Sequence, residues 1–209
     1  RGEPAGILEH QAGITHVDHI AQTMSYEDML SWTLFYTTLF GMEKTPMVDV
    51  IDPDGLVRSQ AVESSGGRLK ITLNGAETHR TLAGRFLAST FGASVQHIAL
   101  STEDIFATVT TLMAAGFAPL PIPANYYDDL AARFDMPEGL LDKLKAGNIL
   151  YDREGEAEFF QVYSRAFAGG LFFEIIQRGP GYKGFGGPNA PFRIAAQKRL
   201  GLGKGIPET

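Results

Sequence analysis

An α+β domain built from two βαβββ modules is predicted by three observations. The run Val17-Asp18-His19-Ile20-Ala21 returns almost letter for letter as Val95-Gln96-His97-Ile98-Ala99, continuing into Leu100. Each copy is a short apolar run with one histidine in its middle, and each leads into a segment with helical signals. Each half then continues into three further strand-like runs, so two similar modules set two histidines in equivalent positions.

Val17 to Ala21 reads as the first strand. Ser25 is a helix N-cap, with Glu27 and Asp28 in the first turn, where carboxylates meet the partial positive charge of a helix N-terminus. From Tyr26 onward, Met29, Trp32, Leu34, Phe35, Leu39 and Phe40 give an apolar face at helical spacing that ends at Gly41, and Trp32 is assigned to core packing. Met47 to Ile51 is the second strand, Asp52-Pro53-Asp54-Gly55 a turn, Leu56 to Val62 the third strand and Leu69 to Leu73 the fourth. A partly helical connection, Ala76 to Gly92, leads to the second half.

There Val95 to Leu100 is a strand, and Asp104 caps a helix from Ile105 to Ala115 that stops at Gly116. Pro119, Pro121 and Pro123 break the chain before two short helical pieces, Tyr127 to Phe134 and Pro137 to Leu144, which have no counterpart in the first half. Ile149 to Arg153, Phe159 to Tyr163 and Leu171 to Ile176 supply the remaining strands. Gly179 to Pro191 is rich in Gly and Pro, and Phe192 to Leu200 forms a closing helix. Residues 1–12 are expected to be an N-terminal extension and residues 13–209 one domain, its modules spanning about 13–75 and 93–178.

With 209 residues, 44% of them hydrophobic, the chain is long enough to bury a sizeable core. A net charge of -6 argues against nucleic acid or an anionic membrane as partner, since both require a basic footprint. Small molecules or proteins are expected instead. The absence of cysteine removes disulfides, thiolate metal sites and a cysteine nucleophile, leaving histidine and carboxylate as the main metal donors. No apolar run approaches the roughly 18 residues of a membrane span and no signal-peptide pattern precedes the first strand, which fits a cytoplasmic protein. The start at Arg1 reads as an excised domain or a processed product.

In Leu171-Phe172-Phe173-Glu174-Ile175-Ile176 one carboxylate sits inside a buried apolar strand, where an unpaired charge would cost several kcal/mol. A cation is therefore expected there. His19, His97 and Glu174, on separate strands, make up the facial triad of a non-haem Fe(II) site, which leaves coordination positions open. His16 is expected to face away from His19, because three positions along a strand reverse the face. His10 and His79 are read as solvated. The run Gly184-Phe185-Gly186-Gly187 lacks the strand-to-helix context of a dinucleotide fingerprint.

His16-Val-Asp-His19-Ile, Val95-Gln-His97-Ile-Ala-Leu, Asn125-Tyr-Tyr-Asp-Asp-Leu, Phe172-Phe-Glu174-Ile-Ile-Gln-Arg and Gly184-Phe185-Gly186 occur in that order. Together they resemble the C-terminal catalytic domain of the 4-hydroxyphenylpyruvate dioxygenase family, from His16 to about Ala196. The resemblance implies the vicinal oxygen chelate fold, in which paired βαβββ modules form a curved sheet around a metal. It puts His19, His97 and Glu174 in the places of the three iron ligands. Ser59, Asn74 and Gln161 match polar residues of the substrate pocket, and Phe185 matches the aromatic that closes over the substrate ring.

Departures from the family pattern are equally specific. Tyr163 stands where the family has phenylalanine, Leu82 where it has a substrate-facing glutamine, and Ala190 where a phenylalanine walls the cavity. Gly75-Ala76 follows Asn74 where the family reads Glu-Pro. Gly187-Pro-Asn-Ala-Pro-Phe192, with the changes at Leu82 and Ala190, is more similar to the dioxygenase-like C-terminal region of bacterial two-part 3-dehydroshikimate dehydratases. That similarity implies an upstream TIM-barrel domain in which the dehydratase chemistry of quinate and shikimate catabolism resides.

The expected cofactor is Fe(II), with Mg, Mn, Co or Zn as alternative divalent ions, and the expected ligand is an aromatic or cyclic oxo acid. In the dioxygenase reading a 2-oxo acid chelates the iron, is oxidatively decarboxylated and is hydroxylated on its ring. Ser59, Asn74 and Gln161 would orient the distal oxygens while Phe185 packs on the ring. The competing readings are a non-catalytic accessory metal domain and a non-redox metal-dependent lyase or isomerase. A homo-oligomer is expected.

Overall fold

In the computed structural model, which describes residues 12–202, the two histidine-bearing runs lie side by side at the middle of one sheet. The first half comprises β1 (Ile14–Ser25), α1 (Tyr26–Leu39), β2 (Glu43–Lys44), β3 (Val48–Asp52), β4 (Gly55–Glu63) and β5 (Lys70–Ala76). The connection holds α2 (Leu82–Thr90), and β6 (Ser94–Thr102), α3 (Ile105–Ala114), α4 (Ala124–Arg133), α5 (Leu140–Gly147), β7 (Leu150–Glu154), β8 (Ala157–Tyr163) and β9 (Phe172–Arg178) follow. α6 (Ala190–Leu202) closes the described chain. The expected extension at residues 1–12 lies outside the described residues except for Ala12.

Local chemistry sets the helix starts. The hydroxyls of Ser25 and Thr81 and the carboxylate of Asp104 accept the N–H groups of Asp28, Gly84 and Ala107, satisfying donors that the first helical turn leaves open. α5 begins later than expected from Pro137, after Gly139 at φ +75°, and runs to Gly147. β1 extends well beyond the expected Val17 to Ala21 on both sides because it is paired on both edges, with β5 and β6.

The strands run β2-β4-β5-β1-β6-β9-β8-β7 across one mixed sheet, with β3 also paired to β4. β1 is parallel to β5 and β6 is parallel to β9, while β1 and β6 pair antiparallel at the centre. The two halves are thus related by a local two-fold through the Ile20/Ile98 pair, with His19 opposite Ala99 and Ala21 opposite His97. The same relation makes Thr72, which pairs with Ala21, the counterpart of Glu174, which pairs with Ala99. The sheet curls into a half-barrel.

On β5, Ile71 and Leu73 join Met24, Met29 and Val62 in a core cluster under α1, while Thr72 and Asn74 line the inner cavity, as strand alternation requires. A larger core, including Ile105, Leu130, Leu144, Phe160 and Val162, joins α3 to α5 to the second half of the sheet. The apolar face expected on α1 is only partly internal. Met29 is buried, and Trp32 and Tyr36 pack against the cluster, but Leu34, Leu39 and Phe40 are 54%, 68% and 61% exposed. The spacing is helical, yet only one side of α1 meets the sheet.

Candidate metal centre

Two β-bulges aim the histidines. Val17 pairs with Leu100 and His19 with Ala99, so Asp18 is an extra residue on β1; Ala21 pairs with His97 and Gln22 with Val95, so Gln96 is an extra residue on β6. In both halves the residue before the histidine is the one squeezed out, a device that redirects side chains beside functional sites. The bulge also corrects the alternation argument for His16, since Asp18 breaks the parity between His16 and His19. His16 is outside the site because it lies exposed toward the start of β1, with its Nδ1 2.9 Å from the Thr15 hydroxyl. His79 is exposed as expected, and His10 lies outside the described residues.

His19, His97 and Glu174 converge. Their potential donor atoms all lie within 4.8 Å of one another, and all three residues are buried. His19 Nε2 is 3.5 Å and His97 Nε2 3.3 Å from the same carboxylate oxygen, Glu174 Oε2. Asp18 Oδ1 lies 2.8 Å from His19 Nδ1. A carboxylate at that distance accepts, so Nδ1 carries a proton and Nε2, on the Glu174 side, is the nitrogen that could serve as a metal donor. Arg178 in turn clamps Asp18 through Nε at 3.0 Å and Nη2 at 2.8 Å, and donates Nη1 to the Gly184 carbonyl at 2.6 Å. His97 is held differently: its ring stacks on Phe172 at 4.8 Å, and among the described residues its buried Nδ1 has no hydrogen-bond partner.

The electrostatics follow from these contacts. Burial alone would raise Glu174, but the two imidazoles hold it far below the usual carboxylate range. Burial pushes His97 down to about 4, with Glu174 opposing and Arg193 adding to the fall, so the ring is neutral, the form a metal needs. His19 is raised, because Asp18 and Glu174 outweigh its desolvation. Two imidazole nitrogens and one carboxylate oxygen, buried and convergent, form a donor set that would suit an Fe(II)-type divalent ion, and the same donors would also suit zinc.

Behind the triad, Gln161 is fully buried and donates Nε2 to Glu174 Oε1 at 2.7 Å and to the Tyr163 hydroxyl at 2.9 Å. Its Oε1 accepts from Asn189 Nδ2 at 2.8 Å, and Asn189 Oδ1 accepts from the Tyr126 hydroxyl at 3.0 Å. Both polar atoms of Gln161 are therefore engaged within the protein, and its contact with the triad is to the Glu174 carboxylate. Gly186, at φ +64°, sits so close that any side chain there would collide with the Gln161 amide.

A cavity of about 720 Å³ opens over His19, His97 and Glu174. Ser59 and Asn74 line it as a cross-strand pair, the Ser59 hydroxyl donating to Asn74 Oδ1 at 2.9 Å. Phe185 lines it with its ring edge-on to His19 at 5.1 Å. Leu82 and Ala190 are also on the wall, where the sequence departures fall. Sequence reasoning gave no role to Asp18, Arg178, Asn189 or Tyr126. Asp18 could have been found as a carboxylate next to a ligand histidine, whereas Arg178 reaches it from 160 positions away in the chain.

Residues 16–155 match the family model of the Glyoxalase/Bleomycin resistance protein/Dioxygenase superfamily. The chain belongs to this superfamily. Within it, the chain is 45% identical over 193 residues to 3-dehydroshikimate dehydratase of Pseudomonas aeruginosa, covering 91% of this chain and 30% of that protein. It is 34% identical over 181 residues to 4-hydroxyphenylpyruvate dioxygenase of Legionella pneumophila, covering 85% of this chain and 51% of that enzyme. A solved xylose isomerase-like TIM barrel/4-hydroxyphenylpyruvate dioxygenase fusion protein superposes with a TM-score of 0.76 at 42% identity, covering 90% of this chain and 30% of that one. The chain thus spans 30% of the length of the dehydratase it matches. No helix among the described residues is long and apolar enough to cross a membrane.

Proposed function

We propose that residues 13–209 form one metal-binding, dioxygenase-like domain, the C-terminal part of a two-part 3-dehydroshikimate dehydratase whose dehydratase chemistry belongs to an upstream barrel. The convergence of His19, His97 and Glu174 within 4.8 Å at the base of the cavity carries this reading. The identity to a bacterial dehydratase over 91% of the chain, and the similarity to a barrel fusion, support the two-part organisation.

In this reading His19, His97 and Glu174 hold the ion, with Fe(II) as the foremost candidate. Bound Fe(II) would supply open positions and reducing electrons for oxygen chemistry on an oxo acid held in the cavity. The chain's own residues do the rest: Asp18 fixes the His19 tautomer, Gln161 orients Glu174, Phe185 packs on the ligand, and Ser59 with Asn74 presents polar atoms across the cavity. Metal analysis tests the site. Glu174→Ala should empty it, and Glu174→Gln should weaken it less, because an amide oxygen still donates without charge. Full loading of both variants would refute the assignment.

A second reading, an active Fe(II)-dependent oxygenase for an aromatic 2-oxo acid, is favoured by the size of the cavity and by Phe185 beside the triad. Oxygen uptake by the Fe(II)-loaded chain with 4-hydroxyphenylpyruvate separates it from an accessory metal domain.

A further inference from the structure

α6 presents Ala190, Arg193 and Ile194 to the cavity, residues spaced to share one helical face. Arg193 is the unusual member. It is only 9% exposed, and among the described residues no carboxylate lies within ion-pair distance of its guanidinium. Its side chain makes one hydrogen bond, from Nη1 to Gln197 Oε1 at 2.7 Å, although the group carries five N–H donors. The guanidinium carbon instead lies 5.6 Å from the Tyr163 ring centre and 5.3 Å from that of Phe172, the ring on which His97 stacks.

A guanidinium stays charged at any pH relevant to a folded protein, so its burial cannot be relieved by losing a proton. Two aromatic faces and one neutral acceptor offset part of the desolvation, but a buried charge usually acquires a counter-ion. The fork geometry of the unused donors suits two parallel acceptors, which is the shape of a carboxylate. These donors belong to a residue of the cavity wall beside His97.

Resting on the reading of this cavity as a ligand site, we propose that Arg193 is its carboxylate-recognition residue and that the ligand is a ring-bearing carboxylic acid whose carboxylate pairs with the guanidinium while its ring packs toward Phe185. Binding of the acid would then have an ionic component independent of any metal. The cavity selects acids over their neutral amides before the triad is loaded.

The experiment uses the whole chain, stripped of metal with EDTA, and titrates it with 4-hydroxyphenylacetate and with 4-hydroxyphenylacetamide, a neutral ligand of nearly the same shape, by calorimetry or ligand-observed NMR. The acid should bind about 10-fold tighter or more, as a charge-assisted bidentate pair allows. Arg193→Leu should bring the ratio to about 1, and Arg193→Lys should retain part of it because charge survives without the fork. Equal binding of acid and amide by the unmodified chain, no binding of either, or a ratio that survives Arg193→Leu would overturn the proposal. The ratio in the unmodified chain and in Arg193→Lys decides the matter even if Arg193→Leu does not fold. Loading of Co(II) into the unmodified chain, measured separately, reports on the triad, so failure of the metal site and failure of carboxylate recognition remain distinguishable.

Discussion

Gln161 holds Glu174 from behind: its amide Nε2 donates to Glu174 Oε1 at 2.7 Å, while Glu174 Oε2 is the atom that both histidines approach. One oxygen of the carboxylate is thereby fixed by the protein and the other is left for a cation. Groups that orient metal ligands in this way typically contribute 10–100-fold in affinity, so Gln161→Leu should weaken divalent metal binding by about that factor. Gln161→Glu should weaken it further, because a second carboxylate beside Glu174 repels it. Competition against a chelator of known affinity measures both; unchanged affinity in Gln161→Leu would show that Glu174 is oriented by other contacts.

The triad draws on β1, β6 and β9, so a bound ion ties both halves of the sheet together. An ion that binds only the folded chain stabilises it by about 2.7 kcal/mol at 100 times its dissociation constant. For a chain of this size that is about 5–10 °C in Tm. Thermal unfolding with EDTA and with added Fe(II) or Co(II) reads the shift, which should vanish in Glu174→Ala.

Leu82 and Ala190 both line the cavity with apolar side chains, which offer a ligand atom no hydrogen bond. Turnover of 4-hydroxyphenylpyruvate by the Fe(II)-loaded chain should therefore fall below the roughly 1 per second of ordinary enzymes. Replacing Leu82 with Gln and Ala190 with Phe together should tighten binding of this acid by about 30-fold, since one buried hydrogen bond and a filled wall each contribute on the order of 1 kcal/mol. Oxygen consumption at an ordinary enzymatic rate by the unmodified chain would show that these two positions do not limit the reaction.

Lys198 on α6 forms ion pairs with Asp52 and Asp54 in the β3–β4 turn, and Asp52 also accepts the Leu82 N–H at 2.9 Å at the start of α2. Burial raises the Asp52 pKa, but the Leu82 N–H, Lys198 and the Asp54 N–H outweigh it, leaving a net fall from 3.8. A carboxylate depressed in the folded state contributes stability that is fully present above its unfolded pKa and is lost as pH drops through the folded one. The stability advantage of the unmodified chain over Asp52→Asn should accordingly be constant near neutrality and shrink below about pH 4. Unfolding curves of both proteins from pH 7 to pH 3 test this, and an advantage that grows on acidification would contradict it.

The triad was legible because it left two independent marks in the sequence: a histidine repeated in near-identical runs, and Glu174 alone in an apolar strand. Strand order within each half was legible from turn residues such as Asp52-Pro53-Asp54-Gly55. What supports the triad was not. Arg178 meets Asp18, and Asn189 meets Gln161, only after the sheet has curled and the Gly-rich loop has folded back, and no local periodicity encodes such meetings. The hydrogen bonds of Gln161 were hidden for the same reason, since these partners lie on β9 and in the loop before α6. On α1 the apolar spacing of Leu34, Leu39 and Phe40 was real, but burial depends on a neighbour that the described residues do not supply.

The local two-fold through Ile20 and Ile98 has an evolutionary consequence. A single βαβββ unit could complete this sheet only by pairing with an identical copy of itself, and the axis would then force the positions of Thr72 and Glu174 to hold the same residue. Such an ancestor would surround an ion with carboxylates on both sides or on neither. Joining two copies in one gene removes that constraint, letting one half carry the carboxylate while the other keeps a small neutral hydroxyl facing the same cavity. Carrying both halves in one chain thus does more than enlarge the protein: it allows a candidate ion site with one side left open.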